Sequence, residues 1–309
     1  MTTPEFHPIS AGTADLLRAA GLDSAVVEFV IRTALLEDLA NGEDITTNST
    51  VPAGQRSAGV FASRAAGCIA GVPVALAVLD MVAGSDVKST VVRADGSRVV
   101  PGDSVLEVEA PTRKFLTAER TVLNLLCHLS GVATHTSKWA DALSGTKAKV
   151  RDTRKTTPGL RMLEKYAVRC GGCMNHRMSL SDAALVKDNH IVAAGGVAEA
   201  FRLIRDRASS VPIEIEVDTL EQLRAVLDAG ADVVLLDNMP PPVLREAVAI
   251  AQEHTERTGR AVILEASGGL TLANAHEVAA TGVDFISVGA LTHSSPVLDL
   301  GLDLETIVS

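Results

Sequence analysis

The spacing of apolar positions changes character along this chain. In "TADLLRAAGL" and "SAVVEFVIRTALLEDL", within residues 13–39, apolar side chains return every three or four positions, the period of a helix with one buried face. Asp23 or Ser24 stands where the second helix needs a cap. The following "NGEDITTNSTV" keeps no period and reads as loop. Between 58 and 110 the pattern shifts to short β-rich runs, "AGVFASR", "VKSTVVR", "SRVV" and "DSVLEVEA", parted by turn signals at Asp95-Gly96 and Pro101-Gly102-Asp103. "GVPVALAVLDMV" between them has the composition of a helix. Residues 117–143 then form one long helical stretch, with Val122, Leu125, Leu126 and Leu129 on a common face. The domain boundary is expected in or near it, after a small α+β unit.

Beyond that helix the grammar repeats. "KAKVRDTRK", "AALVKDNH", "VPIEIEVD", "ADVVLLDN", "AVILEASGG" and "VDFISVGA" are strand-like, and most are separated by segments of helical composition such as "LEQLRAVLDAG" and "PPVLREAVAIAQEH". Such alternation implies parallel βαβ units. Each apolar strand ends in polar residues or glycines. A barrel gathers such ends at one mouth, whereas a doubly wound open sheet splits them about a switch point. The pattern favours the barrel.

Composition narrows this further. The 309 residues are 47% hydrophobic, 21% charged and only 3% aromatic, as expected for an aliphatic core of buried parallel strands. The net charge of −10 argues against nucleic acid and anionic membrane as partners. No run approaches the ~20 apolar residues of a membrane helix, and "MTTPEFHPIS" lacks the basic start and apolar run of a signal peptide. With four cysteines there is no disulfide scaffold, and a cytoplasmic protein with reduced thiols is expected.

Charge is unevenly placed. Residues 151–190 hold eight Lys/Arg and four Asp/Glu, so this window is +4 in a chain of −10. An anionic ligand at the barrel mouth would account for the reversal. Arg154, Lys155 and Lys187 sit at or just past strand ends, with Asn175, His176 and Arg177 close by in "CGGCMNHR". Arginine grips a carboxylate or phosphate through paired bonds and lysine adds a compact charge. Arg161, Lys165 and Arg169, in "GLRMLEKYAVR", read equally well as a solvated basic helix. "SGG" at 267–269, opening into "LTLANAHEVA", and the similar "VGALTHS" offer backbone N–H groups where such barrels hold phosphate. Glu216 and Asp237 end apolar runs and suit sugar hydroxyls or Mg2+. Cys170 and Cys173 make a single pair with His176 nearby, short of the four ligands of a zinc site and outside any thioredoxin-like setting. They read as packing or turn residues.

Long fragments carry a resemblance. "LLEDLANGEDITT", "TAERTVLNLLCHLSGVAT", "RDTRKTTPGLRMLEKYAV", "GGCMNHRMSLSDAALVKDNHI", "IEIEVDTLEQLRAVLDAGADVVLLDNM" and "EASGGLTLANAHEVAATGVDFISVGALTHS" resemble the quinolinate phosphoribosyltransferases, also called carboxylating nicotinate-nucleotide pyrophosphorylases. The family tends to have glycine where Cys173 stands. The resemblance implies an N-terminal α/β sandwich domain over 1–127, with the tail 296–309 packing back on it, an incomplete α/β barrel of six or seven strands as the catalytic domain over 128–295, and a Mg2+-dependent reaction. That reaction joins quinolinate to phosphoribosyl pyrophosphate and releases pyrophosphate and CO2, giving nicotinate mononucleotide for NAD synthesis. It implies a homodimer or a trimer of dimers. Quinolinate would be held by Arg154, His176, Arg177 and Lys187, with Arg120 supplied by the neighbouring subunit. Lys155 would lie between the substrates. Thr153, Lys155, Glu216, Asp237, Ser267, Gly268, Gly269, Gly289 and Ala290 would hold phosphoribosyl pyrophosphate. Lys155, Lys187, Glu216 and Asp237 would be the catalytic set, and Glu216 and Asp237 would meet Mg2+ directly or through water. Rival readings are a nicotinate phosphoribosyltransferase, a sugar-phosphate aldolase with Lys187 or Lys155 as Schiff base, and a non-catalytic phospho-ligand module.

Overall fold

The computed structural model describes residues 4–39, 42–208 and 210–307. They form two compact units. The first comprises residues up to Ser137, Thr157–Gly172 and the chain from Ser294 onward, and the second Lys138–Thr156 and Cys173–His293. The division between the units falls at Ser137/Lys138, ten residues beyond the expected 127/128, and both positions lie inside one uninterrupted helix.

In the first unit, α1 (Ala11–Ala19) and α2 (Ser24–Leu39) follow the helical periods. Asp23 caps α2 by accepting the Ala25 N–H at 2.8 Å. The expected loop at 41–51 contains a helix, α3 (Ile45–Thr50). Its threonines and asparagine are poor helix formers, but Asp44 accepts the Thr47 N–H at 2.9 Å and supplies the missing start. The strands are β1 (Arg56–Ser63), β2 (Gly67–Cys68), β3 (Lys88–Val91), β4 (Arg98–Val99) and β5 (Ser104–Pro111), with α4 (Val72–Ala83) between β2 and β3. A later strand, β12 (Leu300–Thr306), completes an antiparallel sheet in the order β12-β1-β5-β3, while β2 pairs with β4.

Helix α4 is buried nearly all round and accepts α1 and α2 on its flanks. Gly59 in β1 is required by packing, since a Cβ there would lie 2.8 Å from the Phe115 ring. Phe115 belongs to α5 (Thr112–Ala142), the long helix of the sequence pattern, which begins earlier than its apolar face suggested. The basic stretch at 161–170 is α6 (Arg161–Cys170). Only part of it is solvated: Glu164 and Lys165 have 0% exposure, Arg161 is half-buried and Arg169 is exposed.

The second unit is built on six parallel strands, β6 (Lys149–Arg151), β7 (Ala184–Val186), β8 (Ile213–Val217), β9 (Val233–Asp237), β10 (Ile263–Ser267) and β11 (Phe285–Ser287). Helices α7 (Asp188–Ala194), α8 (Val197–Arg207), α9 (Leu220–Ala229), α10 (Pro241–Thr258), α11 (Ala275–Ala279) and α12 (Ala290–His293) join or follow them. The sheet order is β6-β11-β10-β9-β8-β7. Starting from β7, each strand lies beside the next in sequence, and β6 closes the series after β11. That is the cyclic order of a barrel left open at the single seam between β6 and β7, with no switch point. The core strands are apolar and buried, as parallel strands must be when helices cover their outer side. Glu214 and Glu216 break this rule on β8, two residues apart and therefore on one face.

Candidate active site

Strand β6 ends in Arg151, and its continuation anchors the mouth. Asp152 is fully buried. It accepts the Asn175 amide at 2.6 Å and the His176 N–H at 2.8 Å, fixing the "MNHR" loop beside the strand end. This brings Thr153, Arg154, Lys155, His176, Arg177, Lys187 and Ser267 around one cavity of about 290 Å3. Leu185, Leu235, Glu265 and Ser287 complete its lining.

The cavity is cationic and short of partners. Arg154 Nε is buried with no hydrogen-bond partner. Arg177 donates through Nη1 to the Ala183 carbonyl at 2.8 Å. Burial, reinforced by the positive charge of Arg154, holds the Arg177 guanidinium below its usual pKa. A buried guanidinium whose charge is disfavoured, beside a second one with an unpartnered Nε, calls for an anion. Lys187 donates to Glu216 at 3.1 Å and remains half-exposed. Asp237, at the end of β9, feels Lys187 and Lys155. Burial first, and then the charge of Asp218, keeps its carboxyl above the usual range. Lys155 is exposed at the rim, and its carbonyl accepts the Thr292 hydroxyl at 2.7 Å.

The glycine loops lie at the same strand ends. A Cβ on Gly289 would come within 2.9 Å of the Lys155 side chain, so this glycine lets the lysine lie against the backbone. Ala290 begins α12. "SGG" does not open directly into a helix, because α11 starts only at Ala275. Any anion contact there comes from loop N–H groups, not from a helix terminus. Gly268 has φ +85°, and a Cβ on it would lie 2.2 Å from Asn238 Oδ1. Asn238 is itself held at φ 54°, with its N–H on the Ser267 carbonyl and its amide on Asp237 Oδ2 at 2.7 Å. Gly268→Ala should therefore lower stability by about 2 kcal/mol, from backbone strain and collision with Asn238. A shift of the urea midpoint to lower concentration checks this; an unchanged midpoint would mean the loop relaxes freely.

Beneath the cavity is an acidic layer absent from the sequence-based site set. Glu265 has 0% exposure and accepts from Arg151 Nη1 at 2.9 Å and from the Ser287 hydroxyl. Arg151 lies over the Phe285 ring at 3.4 Å. Burial, then the charge of Glu214, raises the Glu265 carboxyl above its usual range. Glu214 is 6% exposed and accepts from His176 Nε2 at 2.8 Å. Among the described residues, His176, Glu214 and Glu265 are the one group of three or more potential metal-ligating side chains with close-set atoms, and it contains no cysteine.

Arg120 is exposed on α5, in the first unit, whereas the lining of this cavity comes from the second. Cys170 and Cys173 fall in different units and form no disulfide. Burial pushes both thiols up to about 12. At pH 8 only ~10⁻⁴ of each is thiolate, the form that binds metal or attacks electrophiles. Iodoacetamide should leave both unmodified in the native protein while labelling them after unfolding. Rapid native labelling, read by mass spectrometry, would restore the metal and redox readings.

Known proteins show the same organisation. Residues 44–130 match the quinolinate phosphoribosyl transferase N-terminal domain, and residues 132–303 match the C-terminal domain of the same family. A nicotinate-nucleotide pyrophosphorylase [carboxylating] of Mycobacterium leprae is 54% identical over 275 residues, spanning 89% of this chain and 95% of that protein. A probable nicotinate-nucleotide pyrophosphorylase [carboxylating] of Bacillus subtilis is 40% identical over 273 residues, spanning 87% and 90%. The structure of the nicotinate-nucleotide pyrophosphorylase from Francisella tularensis superposes with a TM-score of 0.86 at 37% identity, covering 92% of this chain and 98% of that one.

Proposed function

This chain belongs to the quinolinate phosphoribosyltransferase family, and from that premise we propose that the barrel mouth seats quinolinate beside phosphoribosyl pyrophosphate. The reaction is phosphoribosyl transfer to quinolinate with decarboxylation, giving nicotinate mononucleotide, pyrophosphate and CO2 in NAD biosynthesis. The observation that carries the site is the pair Arg154 and Arg177, one with a buried unpartnered Nε and the other with its charge disfavoured by burial and by its neighbour. A ring with two adjacent carboxylates satisfies both.

Roles follow from position. Arg154, Arg177 and Lys187 hold the dianion, and His176 closes the cavity beside them. Lys155, exposed at the rim against Gly289, faces the departing pyrophosphate. Ser267, Gly268, Gly269, Gly289 and Ala290 hold the ribose phosphate through loop N–H groups, with Thr153 alongside. As the ribose C1 becomes cationic, Glu216 and Asp237 balance it. The pyridine nitrogen attacks and turns cationic, and that electron sink lets the adjacent carboxylate depart as CO2. No protein nucleophile is needed, and positioning and charge supply the rate.

Mg2+ fits this mouth. Glu216 and Asp237 offer hard oxygen ligands, and the Asp237 carboxyl, destabilised by burial and by Asp218, gains from a nearby cation. Bound there, the ion would neutralise charge on the pyrophosphate.

A homodimer with Arg120 completing the neighbour's cavity is part of the same proposal, supported by the exposure of Arg120 on α5. Among the described residues no helix is long and apolar enough to cross a membrane. A cytoplasmic setting is proposed from the acidic composition and sparse cysteines.

The test is to mix the protein with quinolinate, phosphoribosyl pyrophosphate and Mg2+ and follow nicotinate mononucleotide. Preference for nicotinate over quinolinate would instead support the monocarboxylate rival. Borohydride trapping of a sugar-phosphate ketone on Lys187 or Lys155 would support the aldolase.

A further inference from the structure

A buried polar chain lies behind Arg177, and the substrate assignments leave its carboxylates unused. His176 Nδ1 accepts the Arg177 backbone N–H at 2.7 Å. A ring nitrogen that accepts carries no proton, so the imidazole proton sits on Nε2. That N–H donates to Glu214 at 2.8 Å, while Glu265 Oε1 lies farther off at 3.6 Å. Glu265 is already held by Arg151 and Ser287. Glu214 has no such support: its other oxygen, Oε1, is buried without a hydrogen-bond partner. A carboxylate so poorly supported is costly to bury, which argues for a task beyond packing. A divalent metal is a poor use of the cluster, because Arg151, Ser287 and the Nε2 proton already occupy the facing lone pairs.

We propose that Glu214 is a positioning residue for the ring-acid substrate: through the His176 imidazole it pins the 176–177 peptide and so aims the Arg177 guanidinium into the cavity. The chain runs from Glu214 Oε2 to His176 Nε2–H, and from Nδ1 to the Arg177 N–H. It stands where an orientation error in the peptide would displace the guanidinium at the far end of its side chain. The proposal rests on Arg177 meeting the acid substrate, but its first step, the tautomer of His176, requires no substrate.

The test therefore has two arms on the full-length protein. Nitrogen-15 NMR of the ligand-free protein, with the His176 signal assigned by its loss in His176→Asn, should show the Nε2–H tautomer. An Nδ1–H ring in the wild type overturns the proposal whatever the substrate proves to be. In the kinetic arm, Glu214→Leu should raise KM for quinolinate about tenfold, the loss expected for one hydrogen bond to a charged group, with KM for phosphoribosyl pyrophosphate little changed. Glu214→Gln keeps an acceptor oxygen for the same N–H, so it should recover most of that loss and preserve the tautomer. Should Glu214→Leu fail to fold, the tautomer and the Gln variant still decide. A Gln variant with lost quinolinate affinity despite an intact tautomer, or a folded Leu variant with unchanged KM, overturns it.

Discussion

Arg177→Ala is expected to lower kcat/KM for quinolinate at least ~100-fold, which corresponds to about 2.7 kcal/mol of lost transition-state stabilisation. Arg154→Ala should match it. Each guanidinium offers a planar fork to one carboxylate; Arg154 Nε is buried without a hydrogen-bond partner, and at Arg177 burial and the Arg154 charge outweigh the charges of Asp182 and Glu214. The loss should appear against quinolinate and leave KM for phosphoribosyl pyrophosphate within a few-fold, because the glycine loops lie on other strands. Arg177 also donates to the Ala183 carbonyl just before β7, so part of its effect could come from a shifted strand. Arg177→Lys separates the two contributions: it keeps the charge and loses the fork. A lysine variant close to alanine in kcat/KM means that paired bonding matters, while recovery by lysine means that charge alone suffices. Near-normal kinetics in both alanine variants would remove the dianion site altogether.

The polar strand ends were legible because a parallel barrel places its chemistry there, and each apolar run in this chain stops in charge or glycine. Arg154, Lys187, Glu216 and Asp237 follow from that rule alone. The acidic layer was not legible. Glu214 could be seen to share a face with Glu216, but its partner His176 is 38 residues away, reached only once Asp152 has folded the "MNHR" loop against β6. Ser287 is hidden in an apolar run, and its meeting with Glu265 depends on the β10–β11 register. Local propensity misled at 45–50, where the Asp44 cap supplies the helix start that poor helix formers lack. The strand β2 is only two residues long, too short to leave a period. The pair Cys170 and Cys173, read from the sequence as packing or turn residues, is kept as thiols by burial.

Arg120 poses a different problem, since it is exposed on α5 in one unit while the proposed acid site is built from side chains of the other. If it serves a neighbour's cavity, two dead proteins should make a live one. Arg120→Ala removes the donated residue and Lys187→Ala cripples the receiving site, so each homodimer should be inactive. Mixed and allowed to exchange subunits at random, about half of the dimers would be hybrids with two-fold related sites. In each hybrid one site receives both lesions and the other receives neither. Activity should then return to about a quarter of the wild-type level at equal total protein. An Arg120 acting within its own chain gives no such rescue, because every site in the mixture keeps one lesion. Subunit exchange can be read independently by native mass spectrometry of differently tagged chains. Demonstrated hybrids without activity would therefore place Arg120 outside the shared site, while leaving the assignments of Arg154 and Arg177 untouched.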